Sequence, residues 1–176
     1  MSVLARDPLL VAVRLILTLL MIATLAATAA FVGASGALAI APASMLDWLG
    51  DATGSVIPTS AAGPLTGVFA LLAGMSLLAF VAQRLLRRLI DSVSHGDPFV
   101  PENARRLGAM AWLTLAVQVL SIGVASMIGW SEYAKGPLNG QFGFSLGGIL
   151  LALVLFVLAR VFRKGAAMRE ELEGTV

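Results

Sequence analysis

Four long apolar stretches, nearly free of charge, recur along the chain at about 9–34, 64–83, 107–130 and 144–162, with clusters of basic residues between and after them. At 1.5 Å per helical residue the first of these extends roughly 39 Å, enough to cross a hydrocarbon core of about 30 Å with some tilt. A lipid environment admits only segments that satisfy their own backbone groups, so the pattern predicts an all-α fold, an integral membrane bundle of four transmembrane helices. The basic residues fix its expected orientation. Arg6 and Arg14 flank the first stretch; Arg84, Arg87, Arg88, Arg105 and Arg106 lie between the second and third; Arg160, Arg163, Lys164 and Arg169 follow the fourth. Only Lys135 falls on the other side. Since Lys and Arg are retained in the cytoplasm, both termini, a loop at 84–106 and a tail at 163–176 are expected there.

Composition agrees with a single membrane domain over 1–176. The chain is 59% hydrophobic and 12% charged, about half the charge of a soluble domain. Its basic residues sit at helix ends rather than on one soluble face, which argues against direct nucleic-acid binding. Without cysteine there is no disulfide and no thiolate metal site, and no cofactor or metal is expected. Ala37-Leu38-Ala39 has the look of a signal cleavage site, but the first apolar run exceeds the roughly 7–15 residues of a signal core and is read as a retained helix. Arg14 should then reach back to the inner surface.

Residues 35–63 lack Lys and Arg and form the expected outer loop. Within it Ser44-Met45-Leu46-Asp47 has the form of a helix start, and Met45, Leu46, Trp48 and Leu49 give an apolar surface, so a short interfacial helix is predicted between helices 1 and 2. It serves as a surface anchor or as a cover over a ligand. Trp130, Tyr133 and Trp112 fit the aromatic belts at the two interfaces.

Small residues mark where helices should meet. The third span carries Ala111, Thr114, Gln118, Ser121, Ala125 and Gly129 on one face, opposite Leu113, Leu120, Val124 and Met127, and the small face is expected inward. Similar stripes are Ala23, Ala27, Ala30 and Ala34 in the first span, Gly63, Gly67, Ala70 and Gly74 in the second, and Gly143 and Gly147 in the fourth. Gly74, Gln118, Gly143 and Gly147 are the expected packing residues. Gln118, near the middle of its span, either bonds a neighbouring helix or coordinates a polar ligand. No carboxylate, histidine or lysine shares its depth, which disfavours a pump.

Helical character continues past the second span through Asp91, which can pair with Arg87 or Arg88. Gly96 is the expected stop, Pro98 and Pro101 prevent continuation, and Pro101 can open the next helix. Phe99 is expected to pack back on the bundle, and lone His95 to act as a capping or surface residue. Residues Gly96, Pro98, Phe99, Asn103, Arg105 and Arg106 thus form a short preorganised loop that a cytosolic protein could bind, or that merely turns the chain.

The segment from Leu89 to Phe99, with Asn103, Arg106 and Leu107 after it, resembles the central motif of an uncharacterised bacterial membrane family, domain of unknown function 2975. The stretch Ala159 to Gly165, with Glu170, Glu171, Thr175 and Val176, is similar to that family's ending, although Gly174 replaces a larger apolar residue. The resemblance implies a bacterial inner-membrane protein encoded beside a small helix-turn-helix transcription regulator, and hence a regulatory or scaffolding partner for it. It implies no reaction. No catalytic triad, carboxylate pair or phosphate loop occurs, so an enzyme is not expected. A small-molecule transporter or channel component is the alternative, and homo-oligomers are possible.

Overall fold

The computed structural model describes residues 8–94, 99–129 and 142–173. Among these are five α-helices: α1 (Pro8–Ile40), α2 (Pro42–Thr53), α3 (Ala62–Ser94), α4 (Pro101–Gly129) and α5 (Leu146–Glu173), with one 3-10 turn at Thr59–Ala61. All but α2 are long and apolar enough to cross a membrane. Their outer surfaces are what lipid requires: Val11, Leu15, Leu19 and Ile22 on α1, and Leu150, Leu153, Val154 and Val157 on α5, are all exposed. A water-soluble protein does not display apolar residues so continuously. The molecule is an all-α membrane bundle.

The helices outrun the apolar stretches. Arg84 to Ser94 continue α3, and α4 starts at Pro101, whose missing N–H costs nothing in a first turn. The short helix stands where expected but begins at Pro42 rather than after Ser44. The Ser44 hydroxyl donates to the Ala41 carbonyl at 3.1 Å instead of capping an amide, because proline already presets the first turn. Gly54 closes α2 in the left-handed region (φ 65°), a geometry that favours glycine. Leu46 is buried and Trp48 is exposed.

By contact the chain divides into two compact units: residues 1–23, 78–116 and 146–176, and residues 24–77 and 117–145. In the first, Leu107 and Ala111 of α4 pack with Leu155 and Ala159 of α5, joined by Leu89, Met110, Phe156 and Phe162. An alanine on each helix, four residues from a leucine, allows close backbone approach. In the second, Val68, Val124 and Ile128 pack with Leu71, Leu72, Met75 and Phe142. The α3–α4 seam there is reciprocal. Met127 and Leu120 of α4 fill the spaces over Gly67 and Gly74, while Leu71 of α3 lies 3.2 Å from where a side chain on Gly123 would begin.

This seam corrects the expected facing of α4. Val124 is completely buried, and Leu120 and Met127 reach over glycines of α3, Met127 remaining partly exposed. The lipid face is instead Trp112, Val119 and Ile122. Ala111 and Ser121 of the small face are buried as expected, but the glycines on α3 draw Val124 and Leu120 of the opposite face inward as well. On α1, Ala23 and Ala30 are exposed, and the inward row is Leu17, Met21, Thr24, Thr28, Phe31, Ser35 and Leu38, at steps of three and four. There Ser35 donates to the Thr66 carbonyl at 3.2 Å and Phe31 stacks at 6.2 Å on Phe69. Ala70 and Gly147 are also exposed. Thr18, Thr28, Thr66 and Thr114 donate to the carbonyls four residues back, which satisfies hydroxyls without a partner helix.

Candidate functional site at the α3–α4 connection

The connection between α3 and α4 is held by a polar cluster centred on Asn103, one of the few fully buried side chains. Asn103 lies in the first turn of α4, where its own amide bonds the Val100 carbonyl at 3.0 Å. Its Nδ2 donates to Ser92 Oγ at 2.6 Å, and Ser92 in turn donates to the Leu89 carbonyl at 2.7 Å. On its other side, Oδ1 accepts from Arg106 Nη1 at 2.8 Å, and the same nitrogen reaches the Arg88 carbonyl at 3.2 Å. Both faces of one amide thereby join the end of α3 to the start of α4.

Phe99 secures the turn from the other side. Its ring lies 5.3 Å from that of Phe162, and a methyl on Gly165 would come within 2.7 Å of it, so the glycine leaves the space the ring occupies. This is the packing back on the bundle anticipated for Phe99. Asp91 pairs with neither Arg87 nor Arg88 but with Arg14 of α1, Nε to Oδ1 at 3.0 Å. The cation comes from α1. Arg14 therefore reaches a carboxylate rather than extending alone to the membrane surface.

The six residues expected at a docking loop separate into classes. Gly96 and Pro98, with His95, lie outside the described residues. Asn103 is buried and Arg106 half-buried, both engaged in holding the two helices together. Only Arg105, 75% exposed and 3.0 Å from Glu102, and Phe99 present themselves outward. Ser92, Arg14 and Gly165 belong to the same construction, and sequence reasoning had not included them in the loop. No local pattern signals them, because each meets its partner only after α1, α3, α4 and α5 pack.

Among the expected packing residues, Gly74 lies 3.4 Å, measured from an added methyl, from Leu120. Gln118 donates from Nε2 to the Ser145 carbonyl at 2.7 Å, and Ser121 accepts from the Gly143 amide at 2.9 Å. Gly143 needs its positive φ of 124° to make that turn. These bonds fasten residues 143–145 onto α4, beside a recess of about 380 Å³. Trp130, Tyr133, Lys135 and Gly174 lie outside the described residues. Among those described, no three potential metal ligands gather.

A family model for proteins of unknown function, DUF2975, matches residues 49–176. The chain belongs to that family. No curated protein and no solved structure matches it. The DUF2975 match takes in α3, α4, α5 and the whole Asn103 cluster, whereas α1 with Arg14 precedes it. Residues Leu89 to Phe99 and Asn103 to Leu107, which carried the resemblance, thus include the groups that join α3 to α4.

Proposed function

We propose that this DUF2975 protein is a multi-pass protein of the bacterial inner membrane, with both termini and the α3–α4 connection in the cytoplasm, and that it acts as a regulatory or scaffolding partner for a small cytosolic regulator of the helix-turn-helix type. The observation that carries the reading is the Asn103 cluster: a buried amide and an arginine join the end of α3 to the start of α4 and leave Arg105, Glu102 and the edge of Phe99 outward. A preorganised surface loses little entropy on binding, which suits a docking element better than a simple turn. The separation of basic residues supports the orientation.

Arg105→Glu tests the docking. Crosslinked capture of the cytosolic partner from native membranes should be lost while the variant inserts and melts like the parent. Recovery of the same protein with and without the substitution contradicts the reading. Arg106 is unsuitable for this test because its reversal would break the cluster. The recess beside Gln118 is the basis for a transporter or channel alternative, although the two polar groups there already hold backbone. Uptake of a small solute into vesicles that is lost in Gln118→Leu would favour that alternative.

A further inference from the structure

Within the first unit, α4 and α5 diverge beside their buried contact and leave a groove of about 630 Å³. Its floor is Ala159 and Gly108, where larger side chains would close it. One end is aromatic: Trp112 stands edge-on to Phe156, ring centres 5.5 Å apart at 82°, with Trp112 itself 68% exposed. The other end is cationic, with Arg160, Arg163 and Lys164 lining it. These three form no ion pair among the described residues, in contrast to Arg14 and Arg105. On α5, Arg160 lies four residues after Phe156, and Arg163 and Lys164 lie three and four after Arg160, so all four share one side of the helix beside the face buried against α4.

We infer that this groove is a binding site for an anionic phospholipid, with the phosphate between Arg160, Arg163 and Lys164 and the glycerol and upper acyl carbons against Trp112 and Phe156. Three features select this occupant. The order along α5 runs from apolar residues within the span to cations at and past its end, as a lipid runs from chain to headgroup. Arginine presents a planar fork suited to phosphate oxygens, and basic recesses between membrane helices suit anionic headgroups. The volume lies within the roughly 300–1,000 Å³ of small-ligand sites, more than a flat charged helix end would enclose. The inference does not rest on the proposed docking function.

The test uses the full chain carrying Trp48→Phe and Trp130→Phe, so that Trp112 alone reports. In bilayers of zwitterionic lipid doped with brominated phosphatidylglycerol or, separately, the same fraction of brominated phosphatidylcholine, the glycerol lipid should quench Trp112 at least about fivefold more effectively at low fraction, the preference expected from even one cation near an anionic headgroup. Arg160→Gln, Arg163→Gln and Lys164→Gln together should abolish that preference while leaving emission in neutral lipid unchanged. The same number of replacements at Arg84, Arg88 and Arg105 should leave it intact. Equal quenching by the two lipids, or equal loss with either triple variant, overturns the inference in favour of diffuse attraction. Inorganic phosphate added to the aqueous phase separates the sources: full reversal by millimolar phosphate would reveal a soluble phosphate site and contradict a lipid one.

Discussion

Asn103 performs at one position what a loop ordinarily needs several residues to do. Replacing it by alanine leaves Arg106 without its Oδ1 acceptor and Ser92 without its Nδ2 donor, at a position that is itself fully buried. Loss of such a buried group costs about 1–3 kcal/mol. Asn103→Ala is therefore expected to lower the melting temperature in detergent clearly, and Ser92→Ala, which removes the acceptor of Asn103 and a local bond to the Leu89 carbonyl but leaves Arg106 its acceptor, to lower it less. If the two variants melt like the parent, the cluster does not hold the connection. The neighbouring arginines should differ in the same assay: Arg106→Glu destabilises, whereas Arg105→Glu, changing an exposed pair of little net worth, stays within about 0.5 kcal/mol of the parent.

At the scale of helices, the sequence and the molecule agree on what exists and disagree on which side faces which neighbour. Gly67→Leu would drive a side chain into Met127, and overpacking of this kind typically costs about 1–3 kcal/mol. Gly147→Leu adds apolar surface at an exposed position of α5 and should be nearly neutral in detergent. A larger loss at 147 than at 67 would mean that the α3–α4 seam is misplaced. Helix number, the short α2, the prolonged α3 and the start of α4 at Pro101 were all legible, since apolar length and proline chemistry act locally. The facing of Val124, the inward row of α1 and the partner of Asp91 were not. Each depends on a residue of another helix, and in lipid a leucine is as content against a neighbour as against acyl chains, so hydrophobicity alone cannot choose. In the candidate site Phe99 packs on the bundle as expected, while Asn103 is buried and Arg106 half-buried, each bonded within the pair of helices.

For the molecule as a whole, the separation of eleven basic residues from Lys135 predicts where each connection lies. The chain has no cysteine, so single cysteines can be placed without background. Position 55 should be labelled from outside, and positions 94 and 173 only after the membrane is opened. Outside labelling at 94 would reverse the proposed arrangement and remove the docking surface from the cytoplasm. The pairing of Arg14 with Asp91 also has a temporal meaning. At synthesis rates of roughly 5–20 residues per second, the arginine emerges several seconds before its carboxylate exists. The first helix therefore enters the bilayer before it can form this ion pair, and settles into final register only when α3 has been made. A nascent chain arrested before Asp91 should hold that helix less firmly against extraction than one arrested after it, which makes the ion pair a marker of completed assembly during biogenesis.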